Sequence, residues 1–221
     1  MRTHYKGFTL VEIAIVLVII GLLLGGILKG QEMITQAKIK NVIADMSGVS
    51  AAMYGYQDRY RALPGDDKNA GGAGGRWGAA ATSGDGNGVI VGKWTEAAKE
   101  STHFWDHLRR AGFVSGSGAD NPFNAVSGKM GVQTGDGQAT PEGVLGEAAN
   151  SKMFVGLILC TGNLPDKIAI SVDAQMDDGV GNTGSVRAMK QAAPNPDLTS
   201  KGGADTYSED GVSTYTVCRQ M

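Results

Sequence analysis

Residues 8–28, FTLVEIAIVLVIIGLLLGGIL, are a run of 21 residues whose single charge is Glu12. At about 1.5 Å rise per residue, a helix of that length crosses a bilayer core of about 30 Å, which makes the run a transmembrane candidate. The residues in front of it, MRTHYKG, hold Arg2 and Lys6 and no acid. Basic arms stay on the cytoplasmic side, so the rest of the chain is expected outside. A secretory signal peptide also begins basic and turns apolar, but its apolar core is about 7–15 residues long and ends at a small-x-small cut. This run is longer, and its possible cut lies before it. The carboxylate is the second anomaly, because a charge inside an apolar span costs about 2.5–3.5 kcal/mol on insertion scales. No cation lies within the run; Arg2, Lys6 and Lys29 only flank it. The partner of Glu12 then belongs to another chain or is a newly created amino terminus, unless the group simply snorkels at a helix start whose dipole favours it.

Beyond Lys29, the positions Ile39, Val42, Met46, Val49, Met53, Tyr56 and Tyr60 recur at alternating spacings of three and four, a helical stripe with no internal proline. Leu63-Pro64-Gly65 ends it. One helix from Phe8 to about Ala62 is therefore expected, roughly 80 Å long at the standard rise. Its first half is apolar all round and reads as a handle to be buried among other helices. Its second half has one apolar face, suited to packing on a globular domain or, alternatively, to a coiled-coil dimer.

The string KGFTLVEIAIVLVIIGLLLGG resembles the class III signal of type IV pilins and of the pseudopilins of type II secretion: a short basic leader ending in Gly, then Phe, then Glu at the fifth mature position. The resemblance covers about the first 60 residues closely. It implies a membrane-inserted precursor cut between Gly7 and Phe8 by a prepilin peptidase, N-methylation of the new Phe8 amine, and pairing of Glu12 with the Phe8 ammonium of a neighbouring subunit during filament assembly. It also implies partners: identical or related pilin subunits and an inner-membrane assembly platform. The location implied is a single pass of the inner membrane, followed by an extracellular pilus or a periplasmic pseudopilus. Loss of the leader takes Arg2, His4 and Lys6 with it and changes the net charge from -2 to -4. One departure is Lys29, which stands where many type IV pilins have proline; Gly25 and Gly26 offer the helix another place to loosen.

The expected organisation is a leader at 1–7, a transmembrane and assembly half-helix at 8–28, an amphipathic half at 29–62 and an extracytoplasmic pilin-like domain at 63–221. The fold class is α+β, a long N-terminal helix packed on a small antiparallel sheet with Gly-rich loops. The 34 glycines support the loops. PGDDKNAGGAGGRWGAAATSGDGNG, from Pro64 on, reads as loop. A short helix is expected from about Glu96 to Ala111, stopped by Ala111-Gly112, and loop again to about Asn150. Strands are expected at 153–160 (MFVGLILC), 167–173 (KIAISVD) and 213–218 (STYTVC), with SVRAM at 185–189 a weaker fourth.

Cys160 and Cys218 are the only cysteines, both on predicted strands of a domain placed outside the reducing cytoplasm, so they are expected to pair. Closing that loop removes unfolded-state entropy on the order of 4 kcal/mol in the chain-entropy model. A disulfide there is common in type IV pilins and missing from many pseudopilins, which tilts the reading toward a pilus subunit.

Two groups of oxygen donors invite calcium. Asp85, Asn87 and Glu96 occupy the first, third and twelfth places of an EF-hand-like loop, although Val89 and Ile90 interrupt its pattern; Asp173, Asp177, Asp178 and Asn182 form the second group. Turns also need Asp, Asn and Gly for their own reasons. His103 and His107 lie one helical turn apart, a zinc-like spacing without a third ligand. There is no GxSxG elbow and no GxxxxGK[ST] loop, and the near-neutral charge gives no nucleic-acid footprint. The expected function is thus a structural subunit of a type IV pilus-like filament and not an enzyme, with no required cofactor. A type II secretion pseudopilin or minor pilin comes second, and a signal-anchored periplasmic binding domain third.

Overall fold

The computed structural model describes residues 7–136, 145, 153–196 and 204–221, so the leader residues Arg2, His4 and Lys6 and, within the expected loop up to Asn150, residues 137–144 and 146–150 lie outside the described residues. The chain divides into two compact units, one ending at Lys38 and the other spanning Ile39–Met221. The elements are α1 (Leu10–Tyr60), α2 (Glu100–Arg110), β1 (Met130–Asp136), β2 (Val155–Pro165), α3 (Asp166–Met176), β3 (Val186–Lys190) and β4 (Thr214–Gln220). The four strands form one antiparallel sheet in the order β1-β2-β4-β3. This is an α+β fold with a long N-terminal helix and a small sheet, the expected class.

α1 begins two residues after Phe8 and stops two before Ala62. It stops because Arg61 takes a left-handed backbone (φ 54°), a conformation that no helix continues through. Its buried residues are Ile39, Val42, Met46, Val49, Ala52, Met53 and Tyr56. Phe104 and Leu108 of α2, Ile168, Ala169 and Val172 of α3, and Val132, Leu159, Val186 and Val217 of the sheet join them in one cluster. Alternate residues of the central strands, Ile158, Cys160 and Cys218, belong to a second cluster with Trp94 and Phe154. The period-two alternation of a strand thus gives the sheet an apolar surface on both faces. Trp94 is fully buried where it crosses Gly131 of β1; a Cβ there would lie 2.7 Å from the indole ring.

The sheet's edges are occupied locally. Ile90 N–H donates to Thr134 Oγ1 (2.9 Å) and Trp94 N–H to Gln133 Oε1 (3.1 Å) along β1. On β3, Ala188 donates to Gly181 O (2.7 Å) and accepts from Asp205 N (2.8 Å). Covered edges of this kind do not template pairing with another sheet.

Three expectations are corrected. KIAISVD is not a strand but most of α3: its buried residues Ile168, Ala169, Val172 and Asp173 follow a helical period, and alternation of apolar with polar residues misread it. MGVQTGD, placed in a loop, is β1, held by its register against β2. α2 starts at Glu100 and not Glu96, because Ala98 has a left-handed backbone (φ 57°). Its other end matches the reading: Gly112 (φ 81°) follows the helix, Phe113 N–H reaches Leu108 O (3.0 Å) and Gly112 N–H reaches Arg109 O (3.0 Å), a Schellman closure.

Candidate functional site

The N-terminal unit carries the first candidate site. Thr9 is the residue before α1, and its backbone N–H (2.7 Å) and hydroxyl (2.8 Å) both donate to Glu12 Oε2. In return Glu12 N–H donates to Thr9 Oγ1 (3.3 Å). This is a capping box, in which two orphan donors of the helix start are satisfied reciprocally and a carboxylate sits at the positive end of the dipole. Thr9 was the partner that sequence reasoning missed, though its signal was present: Thr9-Leu-Val-Glu12 is the T-x-x-E pattern of such a cap. Gly7 and Phe8 precede the cap in exposed chain outside any regular element, Phe8 being 84% exposed.

After the cap comes helix of mean hydropathy 2.8 over an 18-residue window, none of it buried within the fold, long and apolar enough to cross a membrane. Leu10, Leu17, Leu22 and Leu28 are each more than 60% exposed. A chain that leaves such a surface open requires something apolar to cover it, since burial is worth roughly 25 cal/mol per Å². The only ion pair among the described residues of this unit is Lys29 with Glu32 (2.7 Å), beyond the apolar run.

Among the described residues, the second unit gathers two acidic groups that could hold a metal ion, Asp66 with Asp85 and Glu100, and Asp173 with Asp177 and Asp178. In the first, the expected Asp85 is present, but Glu96 turns instead to Lys93 N–H (3.2 Å) and Lys99 Nζ (3.7 Å). Asn87 folds its amide back onto Asp85 (2.8 Å). Asp66 and Glu100 were not legible as members, since only the fold brings them to Asp85. Each carboxylate is already engaged by backbone donors. Asp66 accepts from Gly86 (2.6 Å), Asn87 (3.2 Å) and Gly88 (2.7 Å), and Glu100 from Asp85 (3.2 Å) and Val91 (2.9 Å).

The second group is similarly occupied. Asp178 accepts from Val180 N–H (2.8 Å) and Thr183 hydroxyl (2.6 Å), and Asp177 from Val186 N–H (3.1 Å). Buried Asp173 takes the Tyr207 hydroxyl (2.7 Å) and Gly179 N–H (3.1 Å). Burial, the largest cause, raises the Asp173 carboxyl to a pKa of about 6.

His107 is fully buried and works as a tie between loops: its Nδ1 accepts from Gly65 N–H (2.8 Å) and its Nε2 faces Thr82 O (2.8 Å). That pattern specifies the neutral Nε2–H tautomer, and burial lowers the pKa accordingly. With both nitrogens committed to backbone, His107 has no lone pair for zinc, which overturns the paired-histidine reading with His103. Cys160 and Cys218, opposite each other in the register of β2 and β4, are joined by a disulfide and fully buried.

No curated protein matches the chain closely enough to count as a relative. Residues 2–28 match the family described as the prokaryotic N-terminal methylation motif, and these residues contain Gly7, Phe8, Thr9 and Glu12. The chain therefore carries the class III prepilin signal, the mark of type IV pilin-like proteins and pseudopilins.

Proposed function

We propose that this protein is a structural subunit of a type IV pilus-like filament, made as an inner-membrane precursor and assembled through α1. The observation that carries this reading is the prepilin signal on a helix whose apolar surface the protein's own fold leaves unburied. In this reading a prepilin peptidase cuts between Gly7 and Phe8 and the new Phe8 amine is methylated. Residues 8–28 hold the precursor in the membrane and later lie among the helices of neighbouring subunits, residues 29–62 join this handle to the body, and residues 63–221 form the extracytoplasmic domain.

Glu12 sets the register. In the unassembled chain its carboxylate is satisfied by its own Thr9. In the filament the ammonium of a neighbour's Phe8 offers a charge partner, and an ion pair in low dielectric outweighs a neutral cap. The disulfide suits an extracytoplasmic body with many loops. Calcium fits the all-oxygen donors of either acidic group, and the reading does not depend on it.

Glu12→Val tests the mechanism. It is expected to leave membrane insertion intact, or improved, and to abolish filaments. Normal filament yield from Glu12→Val would overturn the role given to the carboxylate.

A further inference from the structure

Asn87-Gly88 is the one Asn-Gly pair in the sequence, and it lies exposed in the loop that wraps Asp66. The backbone nitrogen that follows an asparagine can attack the side-chain carbonyl carbon and close a five-membered ring. A following glycine, with no Cβ, offers the least hindrance to that approach. Three further requirements of such an acyl transfer are a base on the attacking N–H, a donor at the oxygen where negative charge develops, and an oriented leaving group.

All three contacts are present. Gly88 N–H, the nucleophile, donates to Asp66 Oδ2 at 2.7 Å, and Asp66 is only 3% exposed. Val89 N–H donates to Asn87 Oδ1 at 2.7 Å, the atom that becomes an oxyanion as the carbon turns tetrahedral. Asn87 Nδ2, the leaving nitrogen, donates to Asp85 Oδ2 at 2.8 Å. Gly88 sits at φ 86° with open space around it.

We infer that the folded loop is an autocatalytic cyclisation site that converts Asn87 to an acid. The Gly88 nitrogen bonds to Asn87 Cγ while its proton passes to the Asp66 carboxylate, and the oxyanion is held by Val89 N–H. Collapse of the tetrahedral carbon breaks the Cγ–Nδ2 bond; the nitrogen takes the proton back and leaves as ammonia. Water then opens the ring at either carbonyl to give aspartate or isoaspartate. A cavity of about 530 Å³ bordered by Asp66, Gly86 and Gly88 admits that water. The balance is one amide and one water in, one carboxylic acid and one ammonia out. The product places a fourth carboxylate beside Asp66, Asp85 and Glu100. None of this depends on filament assembly.

The test follows the tryptic peptide Trp77–Lys93 by mass spectrometry after incubation of full-length protein in detergent micelles and, in parallel, of the same protein unfolded in denaturant. The folded chain is expected to acquire the acid at Asn87 at least about tenfold faster than the unfolded one, since orientation is what folding adds. Asp66→Asn is expected to slow the folded reaction by on the order of a hundredfold, the lower end of what a positioned base contributes. Asp85→Asn, an exposed change, is expected to slow it several-fold and serves where Asp66→Asn does not fold. A folded chain that reacts no faster than the unfolded one would overturn the inference and make these hydrogen bonds a simple lock on the loop. An unchanged rate in either folded variant would overturn the role assigned to that carboxylate.

Discussion

From Leu10 to Lys38 no side chain of α1 is buried, whereas from Ile39 to Tyr56 seven are, although both stretches belong to one unbroken helix. The difference lies in the pattern. Leu10–Leu28 is apolar on every side, so no single face could satisfy it against one small sheet. Ile39–Tyr56 concentrates its apolar residues on one stripe and leaves Lys40, Asp45 and Ser47 to water. Secondary structure is the same in both halves; what differs is that the chain itself supplies buried surface for the second half and none for the first.

Substitution in each half gives the sharpest way to break this contrast. Met46→Ala is expected to destabilise the body by about 2–5 kcal/mol, the usual cost of a large-to-small change at a fully buried site. Leu17→Ala, 64% exposed, is expected to leave the body's unfolding midpoint unchanged in denaturant titrations in detergent. Equal losses from the two would show that the first half is packed within the monomer.

Smaller effects refine the account of the body. Replacing Cys160 and Cys218 together by alanine is expected to lower stability by about 2–4 kcal/mol, read from the shift in denaturant midpoint between wild type and variant. His107→Ala is expected to cost about 2 kcal/mol at neutral pH, mainly by leaving Gly65 N–H and Thr82 O without their buried partner. Because burial lowers the pKa of His107 in the folded state, its contribution is fully present above the unfolded value of about 6.5 and is lost as pH falls below it. The gap between wild type and His107→Ala should therefore narrow in acid; a gap that widens would contradict the neutral tautomer. Least of all, Gly48→Ala meets no atom within 4 Å and is expected to stabilise the body by up to about 1 kcal/mol through helix propensity, whereas Gly21→Ala should leave body stability unmoved.

Periodicity carried much of the fold. The stripe from Ile39 to Tyr56 was readable because three-and-four spacing persists over five turns, and β4 because STYTVC is dense in β-branched and aromatic residues. α3 was not, since Lys167-Ile168-Ala169-Ile170-Ser171 satisfies a strand's alternation almost as well as a helix's, and only the burial of Ala169 beside Ile168 separates them. β1 was hidden by its two glycines and lone Val132; pairing with β2, a non-local property, makes it a strand. At the N-terminus the prepilin signal was legible because its residues are contiguous. Asp66 and Glu100 were not, because they reach Asp85 from 19 and 15 positions away only after the loop has folded.

The most direct test of the central claim is the N-terminus of the protein recovered from sheared surface filaments and, separately, from inner membranes, determined by intact mass and N-terminal sequencing. Chains beginning at N-methylated Phe8, with the seven-residue leader gone, are the expectation for the filament fraction. Chains in the envelope that still begin with the leader, and none in filaments, would contradict it and leave α1 as a plain membrane anchor.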